Sequence, residues 1–137
     1  MFLSSLLTTC IAFAADQYAV DDEMILSIAY VESGMKIDAI NRNADQSEDI
    51  GLMQINSWWL SRFKDLGISK EDLFEPCNNI ILGTWILRHS FDLYGRTWEA
   101  VGAYNAGTAE DEQTAERRRQ YAGKVADVYQ SKPWLHQ

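Results

Sequence analysis

The chain has 137 residues, of which 47% are hydrophobic and 23% are charged. This size and balance predict a single globular domain over residues 1–137 and exclude a disordered or fibrous chain. The 20 acidic residues outnumber the 12 basic residues, which gives a net charge of −8. Nucleic acids and anionic membranes both require a basic contact surface, so neither is an expected partner.

The start of the chain has two interpretations. Residues 2–15 are apolar and end in a small-x-small pattern, as an export signal does, although no basic residue precedes Lys36 and the run is too short to span a bilayer. In the other interpretation this segment is the opening helix of the fold, with residues 1–9 as the remnant of an export signal. The choice decides whether Cys10 is discarded or is able to pair with Cys77 in an oxidising compartment.

The next segment predicts a helix that places Glu32 beside an apolar face. Asp21 or Asp22 can cap its start, and Gly34 is a natural terminator. The apolar positions recur at helical spacing and are Met24, Ile25, Ile28, Ala29 and Val31. Glu32 therefore lies in the last turn, where apolar surroundings raise the pKa of a carboxyl and let it donate a proton near neutral pH.

The rest of the chain predicts one β element and several helices. Residues 38–56 are rich in turn formers and predict a short hairpin or an irregular β segment. Helices are predicted at residues 57–66, 76–94, 98–104 and 110–131. The run from Arg117 to Arg119 fits a solvated face of the last helix, with a partner contact as the alternative. Together these elements predict a mostly helical α+β domain.

Three segments carry the candidate chemistry: Glu32 to Gly34, Asp49 to Asn56, and Ala103 to Gly107. In this order and spacing they resemble the lytic transglycosylases of the soluble-transglycosylase type, above all the small members that accompany bacterial secretion systems and pili. The resemblance implies a lysozyme-like fold, a periplasmic location and cleavage of the β-1,4 bond between N-acetylmuramic acid and N-acetylglucosamine in peptidoglycan. We expect a monomer that works beside a secretion-system or pilus component.

The same resemblance implies roles for single residues. Glu32 would be the catalytic acid and base, and Ser33 would orient the reacting groups. The expected substrate contacts along the glycan groove are Gly51, Met53, Gln54, Asn56, Tyr104 and Asn105, the last two closing the groove beside the acid.

The resemblance also bears on the two cysteines. Secretion-associated members commonly carry a Cys in the first helix and a second before the long helix, which implies a disulfide between Cys10 and Cys77. This favours residues 10–20 as part of the fold and an export signal that lies upstream of Met1 or overlaps it.

Residues 43–57 resemble the β-hairpin of animal c-type lysozymes, and the second catalytic carboxylate of those enzymes falls on Asp49. A carboxylate there can stabilise the positive sugar ring that forms during cleavage, whereas the alternative is that Asp49 only caps a turn. Glu48 is the fallback if Asp49 points away, and Asp45 fits an exposed turn residue. The resemblance to the lytic transglycosylases favours an anhydro product, while a carboxylate at Asp49 leaves hydrolysis open. The alternative to an enzyme is a non-catalytic glycan-binding or assembly module with the same fold, which would position a secretion machine.

The remaining polar and aromatic residues give weaker signals. His89 on the long helix fits a surface or packing role. Of Trp58 and Trp59, one is expected to border a sugar subsite while the other packs inside. No His, Cys and Asp residues have the spacing of metal ligands, and no glycine-rich phosphate loop is present, so we expect neither a metal nor a cofactor.

Overall fold

The computed structural model of the protein describes residues 4–136. Within that range the helices are α1 (Ser5–Tyr18), α2 (Asp22–Ser33), α3 (Trp58–Arg62), α4 (Pro76–Tyr94), α5 (Trp98–Ala106) and α6 (Glu112–Ser131). The strands are β1 (Ile40–Arg42), β2 (Glu48–Ile50) and β3 (Ile55–Asn56). Short 3-10 helices lie at Lys64–Leu66, Glu71–Phe74 and Pro133–Leu135. The prediction of a mostly helical α+β domain is confirmed. No helix of residues 4–136 combines the length and the apolar character that crossing a membrane requires.

Helix α2 forms where its capping residues predict it. The side chain of Asp21 accepts a hydrogen bond from the Glu23 amide at 3.0 Å, and the chain leaves the helix through Gly34 at a φ of 62°. The helix buries its apolar face in the main core through Ile25, Leu26, Ile28 and Ala29. That burial fixes the rotation of α2 and therefore the direction in which Glu32 projects.

The β element is a three-stranded antiparallel sheet in the order β1-β2-β3, one strand more than a simple hairpin. Asp49 in the central strand lies opposite Asn41 of β1 and Asn56 of β3. The turn between β2 and β3 is held by the buried amide of Asn79 on α4. Its Oδ1 accepts from the Met53 amide at 2.8 Å, and its Nδ2 donates to the carbonyls of Ile50 at 3.0 Å and Leu73 at 2.7 Å. One buried side chain thus joins the sheet to the helical core.

Helix α1 packs on α4, and a disulfide joins Cys10 to Cys77 at the start of α4. The helix buries Cys10, Ile11 and Ala14 in the main core. The predicted pairing of the two cysteines is therefore present in the structure. Residues 5–9, considered above as the remnant of an export signal, form the first turns of α1, and residues 1–3 of that segment lie outside the described residues.

The arginine run on α6 differs from the prediction of a solvated face. Arg118 is only 6% exposed, and its Nη1 donates to the carbonyls of Gly107 at 3.0 Å and Ala109 at 2.9 Å. Helices α5 and α6 approach so closely that a Cβ on Gly102 would lie 2.3 Å from the carbonyl oxygen of Arg118. Arg118 therefore anchors the α5–α6 loop from inside, while Arg119 remains exposed and pairs with Glu116.

Candidate active site

A cleft of about 610 Å³ has walls of two kinds. We call the first the helical wall, which contributes Glu32 from α2 together with Tyr104 and Asn105 from α5. We call the second the hairpin wall, which contributes residues of the segment 43–56, Asp49 among them. Both candidate catalytic carboxyls therefore line one cleft.

Glu32 lies in a setting that favours its protonated form. Burial raises the pKa of the Glu32 carboxyl from 4.5 to about 7, hydrogen bonds from Tyr121 and Asn105 partly offset this rise, and the negative charge of Asp49 adds to it. The Tyr121 hydroxyl donates to Glu32 Oε2 at 3.0 Å, and the Asn105 Nδ2 donates to the same oxygen at 3.3 Å. A carboxyl with this pKa can give up a proton and take one back near neutral pH.

Asp49 is held by amide donors on both carboxylate oxygens. Asn56 Nδ2 donates to Oδ1 at 2.9 Å, and Asn43 Nδ2 donates to Oδ2 at 3.2 Å. Both oxygens of this carboxyl group are therefore fixed by side-chain hydrogen bonds from the same wall. The cleft thus combines a buried carboxyl whose pKa is raised with a second carboxyl that two amides hold in a fixed orientation.

Four of the predicted contact residues line the cleft together with the two carboxyls, and they are Gln54, Asn56, Tyr104 and Asn105. Gln54 has a φ of 53°, and its Nε2 donates to the carbonyls of Gly51 at 3.0 Å and Ala39 at 3.2 Å. The buried hydroxyl of Tyr104 donates to the Met53 carbonyl at 2.8 Å. The amide nitrogen of Asn56 donates to Asp49.

The structure does not bring Ser33, Gly51 or Met53 to the cleft surface. The Ser33 hydroxyl donates to the Ala29 carbonyl one turn earlier at 3.1 Å, so it stabilises its own helix. Gly51 and Met53 are buried. At Gly51, φ is +77° and a Cβ would lie 2.3 Å from Asn79 Nδ2, because the backbone packs against that amide. None of the three residues is therefore among those that line the cleft.

The neighbours of Asp49 in the sheet take other roles. Glu48 is on the opposite face of β2, where Oε1 pairs with Lys70 at 2.8 Å and Oε2 with Arg42 at 3.0 Å. It therefore does not replace Asp49. Asp45 is an exposed turn residue, as predicted, and its Oδ1 accepts from the Ser47 hydroxyl at 2.5 Å.

Two tryptophans and a histidine also line the cleft. Trp58 and Trp59 both line it, and Trp58 is 50% exposed with the Arg62 guanidinium 4.0 Å from its ring centroid. Trp59 also packs edge-to-face on Trp85 at 5.8 Å. His89 lines the cleft as well and stacks on Trp85 at 5.6 Å. Among residues 4–136, no three His, Cys, Asp or Glu side chains are placed to hold a metal ion.

Sequence reasoning missed Tyr121 and gave Asn43 and Ser47 no individual role. Tyr121 is a buried residue of α6, where an aromatic at helical spacing indicates core packing and nothing more. Its hydroxyl reaches a carboxyl 89 positions earlier, a contact that only the fold creates. Asn43 and Ser47 lie in the segment that resembles the lysozyme hairpin, and this was the available signal for them.

Comparison with known proteins identifies the family of this chain. Residues 9–126 match the family described as "Transglycosylase SLT domain". The invasion protein IagB of Salmonella typhimurium (strain SL1344) is 43% identical over 121 residues, which are 88% of this chain and 74% of that protein. The X polypeptide of Escherichia coli (strain K12) is 37% identical over 123 residues, which are 89% of this chain and 73% of that protein.

A solved structure, an inactive mutant of the lytic transglycosylase Slt from Pseudomonas aeruginosa, has the same fold with a TM-score of 0.67. It is 22% identical, and the match covers 91% of this chain and 24% of the solved chain. This likeness supports the lysozyme-like fold, while the family match rests on the sequence. The chain therefore belongs to the transglycosylase SLT domain family and is a lytic transglycosylase that acts on peptidoglycan.

Proposed function

We propose that Glu32 is the general acid and base of this enzyme, that Asp49 is its electrostatic partner, and that the bond cleaved is the β-1,4 bond between N-acetylmuramic acid and N-acetylglucosamine. The observation that carries the proposal is the position of Glu32, a carboxyl in the cleft whose pKa burial raises to about 7. A non-catalytic glycan-binding module would have no use for such a carboxyl beside a second one.

The hydrogen bonds of Glu32 assign its two oxygens different tasks. Tyr121 and Asn105 both donate to Oε2, so that oxygen accepts and the acidic proton belongs on Oε1. Oε1 gives the proton to the glycosidic oxygen, and the bond from that oxygen to C1 of N-acetylmuramic acid breaks. The bond's electron pair leaves with the departing sugar, whose oxygen becomes a hydroxyl. The ring left behind is oxocarbenium-like, and the negative charge of Asp49 stabilises it.

The second step returns the proton to Glu32. The 6-hydroxyl of the same N-acetylmuramic acid attacks C1, and Glu32, now a carboxylate, takes the hydroxyl proton as the new bond forms. The product is a 1,6-anhydro ring, and the enzyme is back in its starting state. Attack by water would give a reducing end instead, and the presence of Asp49 in the cleft keeps this hydrolytic outcome as the alternative.

The setting of this activity is also part of the proposal. We infer a monomeric, single-domain enzyme of the periplasm that opens the cell wall locally for a secretion apparatus. The Cys10–Cys77 disulfide supports an oxidising compartment, and the printed name of the relative IagB, an invasion protein, supports the link to secretion. Cell fractionation should find the oxidised chain in the periplasm. Wild-type enzyme but not Glu32→Gln should restore secretion to a strain that lacks it.

The direct test is Glu32→Gln, which keeps the shape of the side chain and removes its acid. We expect the clearing of a purified cell-wall suspension to slow by about 10²–10⁴-fold, the usual contribution of a positioned acid. Glu71→Gln is the matched control, since Glu71 is exposed on a 3-10 helix and is not part of the cleft. A Glu32→Gln enzyme that clears at the control rate would contradict the assignment.

Mass spectrometry of the released muropeptides decides the second step. Anhydro ends are expected, and reducing ends would show that water takes the place of the 6-hydroxyl. Asp49→Asn in the same assay separates the two carboxyls. We expect a slower reaction with the same products, whereas an unchanged rate would return Asp49 to capping a turn.

A further inference from the structure

Asp49 is the end point of a network of side-chain hydrogen bonds within the hairpin wall. The amide nitrogens of Asn43 and Asn56 each donate one hydrogen to Asp49, at 3.2 Å and 2.9 Å. Each of the same nitrogens donates its other hydrogen to Ser47 Oγ, at 3.1 Å in both cases. Both amide groups therefore use all of their donor capacity on two acceptors.

The direction of these hydrogen bonds is fixed from the outer end. Ser47 Oγ accepts from both asparagines and donates its single hydrogen to Asp45 Oδ1 at 2.5 Å. The same Asp45 oxygen accepts the Ser47 backbone amide at 2.9 Å. An ionised carboxylate can only accept, so the Ser47 hydroxyl must donate its hydrogen to Asp45. The lone pairs of the Ser47 oxygen are then left to accept from the two asparagine amides.

The orientation of Asn56 has an independent anchor. Its Oδ1 accepts from the Trp58 backbone amide at 2.9 Å, so its Nδ2 must be the atom that faces Asp49. If the Asn56 amide were flipped, its Oδ1 would face the Asp49 carboxylate, so two acceptors would meet. Its Nδ2 would face the Trp58 backbone N–H, and the hydrogen bond from Trp58 would be lost. The register of the sheet agrees, since Asn56 lies directly opposite Asp49 in the β2–β3 pair.

We propose that Asn43, Ser47 and Asn56 are positioning residues that hold Asp49 as an oriented anion facing the sugar ring, with Asp45 setting the direction of the network. This rests on the proposed function, because it assumes that Asp49 supports the cation formed when Glu32 protonates the substrate. Asn56, predicted from the sequence as a substrate contact, acts through Asp49 in this account. The amides also prevent the carboxylate from rotating, so its charge stays at the place where the positive ring develops.

A double-mutant cycle tests this with soluble, uncrosslinked peptidoglycan strands as substrate and the release of product ends as readout. We expect Asn56→Ala to lower kcat about tenfold and to leave KM within about twofold of the wild-type value. The reason is the loss of one hydrogen bond to a charged group, whose energy corresponds to a rate change of about this size. Ser47→Ala should lower kcat about threefold, because the amides remain and lose only their brace. In an Asp49→Asn background neither substitution should cause a further loss.

The matched control is Asn78→Ala, since Asn78 is an exposed asparagine of α4 outside the cleft. Thermal unfolding of every variant separates positioning from general destabilisation, and Asn43→Ala repeats the cycle if Asn56→Ala is unstable. A rise in KM alone would make Asn56 a substrate contact and overturn the proposal. The proposal would also be overturned if Asn56→Ala lowered kcat by the same factor in the Asp49→Asn background as in wild type. If Asp49→Asn keeps the full rate while Glu32→Gln is inactive, positioning is overturned and the acid assignment stands. An active Glu32→Gln would instead overturn the proposed function.

Discussion

The helical wall and the hairpin wall give their carboxyls opposite properties, and they do so over different distances along the chain. Glu32 receives its hydrogen bonds from Asn105 and Tyr121, which are 73 and 89 positions away. Asp49 receives its hydrogen bonds from Asn43 and Asn56, which are six and seven positions away. The acid is therefore a product of tertiary packing, whereas the anion is a product of local sheet geometry.

The chemical consequence follows from what surrounds each group. Around Glu32 the effect of burial outweighs that of the two hydrogen bonds. The pKa of Glu32 is therefore about 7, and the neutral form is favoured below that pH. Around Asp49 the neighbouring side chains are amides, which donate a hydrogen bond to each of its two oxygens. The two carboxyls of one cleft thus have different surroundings, since burial dominates at Glu32 and hydrogen bonds from amides dominate at Asp49.

The largest effect is expected where the hairpin wall joins the core. At Gly51, φ is +77°, and a Cβ would lie 2.3 Å from Asn79 Nδ2 and 2.6 Å from the Leu73 carbonyl oxygen. Gly51→Ala should lower the free energy of unfolding by about 3 kcal/mol, because it combines left-handed strain with overpacking. Urea unfolding measures the change. The substitution should also displace the hairpin wall, so that Asp49 no longer faces Glu32 across the cleft and only the helical wall keeps its carboxyl in place.

Gly123→Ala is the matched control for that substitution. Gly123 lies in α6 with open space where its Cβ would be, so alanine should raise stability by about 0.5–1 kcal/mol through helix propensity. If Gly51→Ala proved as stable as wild type, the Asn79 amide would not be the rigid link between sheet and core described above.

An intermediate effect is expected from the buried acid on stability. The pKa of Glu32 is raised from 4.5 to about 7 by burial, so the fold prefers the neutral form. Its contribution to stability is complete below pH 4.5 and is lost as the pH rises through about 7. Glu32→Gln stays neutral, so at pH 8.5 it should be more stable than wild type by about 2 kcal/mol, with no difference attributable to this charge near pH 4.

Denaturant unfolding of wild type, Glu32→Gln and the Glu71→Gln control across this pH range measures that difference. Glu71 is exposed, so its removal should leave the pH dependence of stability unchanged. A Glu32→Gln variant that follows wild type at every pH would show that Glu32 is solvated, and the contrast between the two walls would disappear.

The sequence predicted the features that depend on short stretches of chain. Helix α2 was predictable because Asp21, Gly34 and the apolar spacing between them all act within the segment itself. The position of Asp49 in a β element was predictable for the same reason. A motif marks the segment that approaches a site, but it does not say which of its side chains face the cleft. Gly51 and Met53 belong to the motif and face the core.

Contacts between distant segments were not predictable from the pattern. An arginine run in an acidic chain indicates a solvated face, and the burial of Arg118 became evident only once the carbonyls of the α5–α6 loop were placed beside it. Tyr121 is a second example, since its spacing on α6 is that of a core residue. Its hydroxyl nevertheless ends on the acid, so one residue belongs both to the core and to the site.

The smallest effect, and the sharpest for the helical wall, is expected from Tyr121→Phe. The substitution keeps the buried ring and removes the donor to Glu32 Oε2. Because that hydrogen bond lowers the pKa of Glu32, its loss should raise the pKa further above the ordinary value, so the alkaline limb of the pH–activity profile should move to higher pH. The maximal rate should fall about fivefold, since the acid also loses a positioning contact.

Tyr129→Phe is the control on the same helix, as the Tyr129 hydroxyl donates to Asp21 outside the cleft. If the pH–activity profile stayed in place in Tyr121→Phe, or moved equally in Tyr129→Phe, burial and not the Tyr121 hydrogen bond would set the pKa of Glu32. A selective shift would show that α6 tunes the helical wall from 89 positions away, while the hairpin wall depends on its own residues.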